Sequence, residues 1–184
     1  MLIALSGAQC TGKTTLLSAL RNDKTFSSRF TFVDEIVRTL QKQGFKINEA
    51  GNDETQLAVM KTHVANSDLR LKGGDGAPND VLVDRCVLDC MAYTIWMWRH
   101  HKITRDTYHT CYKQFMDTIM KYDIIFYLSP EFDIIPDGTR SVDKNFRNEI
   151  VGIFEELIYN FSLTVVRLTG TVEERLSAMK KIIG

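Results

Sequence analysis

The residues best suited to chemistry stand in one short run, Gly7-Ala8-Gln9-Cys10-Thr11-Gly12-Lys13-Thr14, with the spacing G-x-x-x-x-G-K-[ST]. Its glycines let the backbone curl until several N–H groups face one phosphate, and a helix opening behind them adds its positive end. Lys13 supplies a mobile charge for the outer phosphates of a nucleoside triphosphate, and the Thr14 hydroxyl offers a ligand to Mg²⁺. With Thr15, which follows directly, these residues make up the candidate nucleotide-binding segment. Cys10 serves either through its backbone amide alone or as a reactive thiol.

Charged residues that directly follow apolar runs are the next candidates, because ligands of an open parallel sheet lie beyond the carboxyl ends of its strands. Asp34, Glu35 and Arg38 follow the run Phe30–Val33. Asp34 is placed to take a proton from an attacking hydroxyl, with Glu35 the alternative general base. Glu35 and Arg38 share one helix face, where they either pair on the surface or point together toward an acceptor. Asp84 ends the run Val81–Val83 in the manner of an acid that holds Mg²⁺ through water. Arg85 beside it either clamps a substrate or pairs with Asp89 one helical turn on. After Ile124–Leu128 comes a Pro- and Gly-bearing loop that contains Asp137 and Gly138. If helical geometry starts by Arg140, then Arg140, Lys144 and Arg147 form a cationic stripe on a lid spanning about 129–147, suited to neutralising a transferring phosphoryl group.

These groups need a scaffold, and the sequence alternates short apolar runs with helical patterns as a β/α protein with a parallel sheet does. Strands are predicted at Leu2–Leu5, Phe30–Val33, Val81–Val83, Ile124–Leu128 and Thr164–Leu168. Helices are predicted near 13–21, 35–43, 53–71, 87–100, 105–121, 144–160 and 172–182. Asp53 with Gln56 has the form of an N-cap and its partner, and Thr171 with Glu174 that of a capping box. The stretch 73–80 is predicted to be a loop.

The chain has 184 residues, which fits one domain over 1–184, and its 44% hydrophobic content supports a sizeable core. Its 23 Lys and Arg balance 23 Asp and Glu, so no global field attracts a long polyanion. The four cysteines form no paired C-x-x-C zinc pattern. No apolar run has the length of a membrane span or the flanks of a signal peptide, and a cytoplasmic setting is expected. A guanine-reading Asn/Thr-Lys-x-Asp string is missing, which favours ATP over GTP.

On the run 7–14, the step from Glu35 to Arg38, Asp84, and Asp137-Gly138 with Arg140, the chain resembles the P-loop nucleoside and nucleotide kinases. Within them it is most similar to the ribosylnicotinamide kinase domain of bifunctional bacterial NAD-biosynthesis proteins, on the AAA-type branch. The pair Asp84-Arg85 also resembles the motif of thymidylate kinases. The resemblance implies a three-layer α/β sandwich with sheet order 2-3-1-4-5. It further implies ATP and Mg²⁺ at Lys13 and Thr14, phosphate contacts from Arg140 and Arg147, and a small nucleoside- or nucleotide-like acceptor. The aromatic segment 91–122 matches no acceptor motif: its rings either stack on a base or form core. Two other functions stay open. One is a kinase acting on a DNA or RNA hydroxyl through the aromatic and basic cluster Trp96–Lys102. The other is a regulatory ATPase switch with no small acceptor.

Overall fold

Five runs of β-branched, aromatic and aliphatic residues form the strands β1 (Leu2–Ser6), β2 (Phe30–Val33), β3 (Asp80–Asp84), β4 (Ile124–Leu128) and β5 (Val165–Leu168). The computed structural model describes residues 1–69, 80–134 and 143–184. All strand pairs are parallel, in the order β2-β3-β1-β4-β5. The central strand β1 sets Leu5 beside Asp84 on β3 and Ser6 beside Tyr127 on β4, so the segments that follow these strands meet at one edge.

Helices cover both faces. They are α1 (Lys13–Asn22), α2 (Lys24–Ser27), α3 (Val37–Lys42), α4 (Asp53–Ser67), α5 (Val87–Arg99), α6 (Arg105–Thr118), α7 (Lys144–Asn160) and α8 (Val172–Ile183). Successive strand residues point to opposite faces, and β1 is buried along its whole length. Ile3 and Leu5 pack with Leu16, Leu20 and Met179 of α1 and α8, while Leu2 and Ala4 share a cluster with Met60, Met91 and Ile150 of α4, α5 and α7. Burial on both sides is why β1 reads as an almost unbroken apolar run, whereas the edge strands β2 and β5 carry the exposed Thr31 and Arg167. The architecture is thus a three-layer α/β sandwich in the expected order. Among the described residues no helix is long and apolar enough to cross a membrane.

Several boundaries differ from expectation for local reasons. Helix α4 is capped by Asn52, whose extended backbone lets its side chain accept from Thr55 N at 3.0 Å. Asp53 instead accepts from Thr104 N and Oγ1, both at 2.8 Å, tying α4 to the start of α6. Gln56 reaches across to α5, where Nε2 donates to Thr94 Oγ1 at 2.9 Å. Helix α3 opens at Val37, so Glu35 precedes it. Asp143 caps α7 from an extended conformation and accepts from Asn145 N and Phe146 N. The helix therefore starts at Lys144, as expected, with Lys144 and Arg147 on its first turn. The Thr171–Glu174 capping box is formed as expected. Of the expected loop 73–80, only Asp80 lies within the described residues, and Asp137, Gly138 and Arg140 lie outside them.

Candidate active site

The cradle begins where β1 ends. Gly7 sits at φ +139°, and a side chain there would collide with the Leu128 carbonyl of β4; Gly12 sits at φ +86°, where a Cβ would meet Arg175 Nη1 at 2.9 Å. Both positions therefore need glycine for the curl itself. Lys13 opens α1 with its ammonium folded over the loop, donating to Gly7 O at 2.7 Å, Ala8 O at 2.6 Å and Thr11 Oγ1 at 3.1 Å. Burial foremost, then the Arg85 guanidinium, pushes its pKa down to about 7, against the pull of Asp89, Asp84 and Glu35. Thr14 and Thr15 are exposed on the first turn of α1. Gln9 is buried and accepts from the Tyr93 hydroxyl of α5 at 3.0 Å, and Cys10 is half-buried at φ +58°.

A buried ionic network adjoins the cradle. Arg85, directly after β3, holds a left-handed backbone at φ +73°, a strain of roughly 1–2 kcal/mol for a residue with a Cβ. That turn sends its guanidinium inward. Nε pairs with Glu35 Oε1, and Nη1 donates to Gly7 O at 3.1 Å and to Asp89 Oδ1 at 3.2 Å. Asp89 in turn accepts from Gly7 N at 3.2 Å and Cys86 N at 3.0 Å. Both backbone groups of Gly7 are thereby held by the residues that carry the network. Arg38 lies 3.8 Å from the other Glu35 oxygen.

Asp84 is 5% exposed, and its Oδ1 has no hydrogen-bond partner. Burial and the nearby Glu35 charge push its carboxyl up to about 6, against the pull of Arg85 and Lys13. An orphaned carboxylate oxygen at this strand end, with the Thr14 hydroxyl at the head of α1, fits a hard divalent cation that keeps most of its water, as Mg²⁺ does. Among the described residues no group of three or more His, Cys, Asp or Glu side chains forms a metal cluster.

The sequence-expected residues do not all converge. Asp34 faces solvent, its side chain 76% exposed, and accepts from Arg21 Nη2 of α1 at 2.7 Å. Glu35, its neighbour, turns inward. Arg147 is buried at 9% exposure and donates to Phe132 O at 2.8 Å, while Lys144 pairs with Asp133 at 3.3 Å. Arg147 therefore anchors the segment after β4. Of the aromatic segment, Tyr93 lines the site, Trp96 packs edge-on against Phe146 in the core, and Trp98, Tyr108 and Tyr112 line a separate surface pocket.

Two residues that no motif flagged belong here. Arg175 of α8 is 1% exposed, donates to Thr11 O at 2.7 Å, pairs with Glu131 and lies 5.2 Å over the Phe132 ring. It braces the cradle from behind. Its sequence signal is a cation at four-residue spacing from Met179 and Ile183, on the buried stripe of α8. The second is His63 of α4, 1% exposed, with no hydrogen-bond partner for either ring nitrogen. It lines a small pocket with Glu35, Gln56, Arg85, Asp89 and Tyr93. Its signal is a second polar residue seven positions after Gln56 on the buried face of α4.

Burial lowers the His63 pKa from 6.5 to about 4, with Arg85 lowering it further and Asp89 and Glu35 opposing. Between those values the unfolded chain binds a proton that the native state refuses, so stability present above pH 6.5 is lost as pH falls toward 4. The wild-type melting midpoint should accordingly fall more steeply across this window than that of His63→Leu. Parallel slopes in paired melting curves would refute the assignment.

Fold and site together define a P-loop fold, with the phosphate cradle after the central strand of a 2-3-1-4-5 parallel sheet. A family profile described as AAA domain matches residues 2–175, and the chain belongs to that family. Among solved structures it is similar to a NadR protein in complex with NR, at TM-score 0.71 and 19% identity, over 92% of this chain and 45% of that one. It is similar also to a deoxyadenosine kinase from M. mycoides with dCMP and a flexible dCDP bound, at TM-score 0.68 and 15% identity, over 100% and 99% of the chains. A thymidylate kinase from Candida albicans follows at TM-score 0.59 and 15% identity, over 99% and 90%. The chain spans a little under half of the NadR chains it matches. A search of curated proteins finds no match.

Proposed function

We propose that the chain is an ATP-dependent kinase that transfers the γ-phosphoryl group to a hydroxyl of a nucleoside-like small molecule. The observation that carries this reading is the double attachment of Gly7: Arg85 bonds its carbonyl and Asp89 its N–H, so two residues that line the pocket are hydrogen-bonded directly to the first residue of the phosphate cradle. A donor phosphate and an acceptor hydroxyl meet at that junction. Such proximity supplies most of the catalysis in phosphoryl transfer, which needs little covalent help.

Each residue has a defined task in this reading. The backbone of Gly7, Ala8, Gln9, Cys10, Thr11 and Gly12 cradles the phosphates, with Thr14 and Thr15 at the helix start and Lys13 on the outer phosphate oxygens. Mg²⁺, held by Thr14 and Asp84, would neutralise the β- and γ-phosphate oxygens when bound. Glu35, already inside the pocket, orients the acceptor hydroxyl and takes its proton, the task the sequence assigned first to Asp34. Arg85 fixes Glu35. Arg147 anchors a lid over 129–147, and Arg140 within that span is assigned to the transferring phosphoryl group.

The charges favour a hydroxyl acceptor without a phosphate of its own. A monophosphate needs free cations, and both guanidiniums near the pocket are drawn to Glu35, Arg85 directly and Arg38 at 3.8 Å. A nucleic-acid acceptor is disfavoured by the cluster expected to hold a strand: Arg99 pairs with Glu156, and His100 stacks on Trp96 beside Glu149. Labelled ATP with nicotinamide riboside, nucleosides, deoxynucleoside monophosphates and hydroxymethylated DNA tests the reading. Label is expected on a riboside or nucleoside and absent from the monophosphates and DNA. Hydrolysis unaffected by every acceptor would replace the kinase reading with the ATPase switch.

A further inference from the structure

The acceptor pocket holds one hydrogen-bonding side chain whose capacity the protein leaves unused, and it is not one that the reaction requires. The other polar groups facing this space are committed. Gln56 Nε2 goes to Thr94 Oγ1 at 2.9 Å and Cys90 O at 3.4 Å, Thr55 Oγ1 to Lys46 O at 2.7 Å, and the Tyr93 hydroxyl to Gln9 at 3.0 Å. Arg85 and Asp89 are tied to each other and to Gly7. His63 alone among the described pocket residues has both polar atoms buried and unpartnered.

A buried imidazole kept for packing alone would be replaced to advantage by an apolar residue, since its unsatisfied nitrogens oppose folding. An unpartnered imidazole facing a pocket therefore calls for a ligand. Neutral imidazole presents one N–H and one lone pair, and which nitrogen carries the proton depends on the partner. A phosphate oxygen only accepts and an ammonium only donates, so each suits one nitrogen alone. A hydroxyl does both and pairs with either tautomer. His63 lines the pocket together with the charged Asp89, Arg85 and Glu35. A sugar carries neighbouring hydroxyls, which suits a pocket whose lining includes both Glu35 and His63.

We propose that His63 is a specificity-determining contact for a second acceptor hydroxyl, one that is not phosphorylated, so that the substrate class is a ribose-bearing nucleoside and not its deoxy counterpart. This rests on the kinase reading for the location of the acceptor. The test compares wild type, His63→Leu and His63→Gln on a riboside and its 2′-deoxy and 3′-deoxy forms. Phosphoryl transfer and calorimetric binding with a non-hydrolysable ATP analogue are both measured. Wild type should prefer the riboside over one deoxy form by at least about tenfold, the discrimination expected of a pocket built to bond a hydroxyl. In His63→Leu that ratio should collapse to about twofold or less, through a raised KM on the riboside with kcat little changed, while the melting midpoint at neutral pH stays equal or rises. Glutamine should restore part of the ratio. An unchanged ratio in His63→Leu would overturn the proposal. So would an equal loss of kcat on all three acceptors with a lowered melting point, which is the signature of a structural histidine. Riboside binding that depends on His63 without any transfer would overturn the kinase reading and support the contact. Wild-type protein that neither binds nor phosphorylates a riboside would overturn both.

Discussion

Replacement of Lys13 by alanine is expected to lower phosphoryl transfer by roughly 10²–10³-fold, the typical effect of deleting one preorganised contact to transition-state charge. The ammonium has three loop acceptors at 2.6–3.1 Å and a pKa pushed down to about 7 by burial. A bound triphosphate offers anionic oxygens in place of these neutral ones, which favours the charged form again. The loop thus presents a cation whose full charge is drawn out by the ligand. Because the substitution deletes a buried ammonium and not an apolar contact, the protein should melt near or above the wild-type temperature. Steady-state kinetics beside melting curves check both halves. Activity near wild type would remove the phosphate-cradle assignment, whatever the stability.

The second large effect separates two adjacent carboxylates. Glu35→Gln should lower kcat by about 10²–10⁴-fold, the range for loss of a general base, whereas Asp34→Ala should stay within about threefold. Glutamine keeps the shape of the side chain and an oxygen for Arg85, but neither the charge nor the basicity. The side chains of Arg85 and Glu35 are only 6% and 10% exposed, and leaving one member of such a pair alone typically costs about 3–5 kcal/mol. Asp89 remains to hold the guanidinium in the variant, so the folded fraction is measured by melting before rates are compared. If Asp34→Ala proved the more damaging, the proton acceptor would lie on the solvent side and the pocket would not be the acceptor site.

That pair also shows how far the sequence carries. The cradle was legible because its spacing, its strand and its helix are contiguous, and the sheet because each strand is a short run rich in apolar and β-branched residues. Which of Asp34 and Glu35 faces inward depends on where β2 releases the chain and on Arg85, fifty residues further on and held at φ +73°. Adjacent positions at a strand end look alike in one dimension. The helical pattern over 144–160 located α7 from Lys144, whereas Arg140 of the lid stripe lies outside the described residues. Arg175 and His63 belong to no motif. Their marker is a polar residue on an otherwise buried helical face, which becomes meaningful only when the opposing surface is known.

The bond from Arg175 to the Thr11 carbonyl joins residues 164 positions apart. Chains emerge from the ribosome N-terminal end first, so the cradle loop is made 164 residues before its brace. A nascent chain that has reached β4 already has the strands flanking the loop, yet lacks the guanidinium that sits against Gly12. A braced cradle would then form only once α8 has been made and packed, nearly at one step.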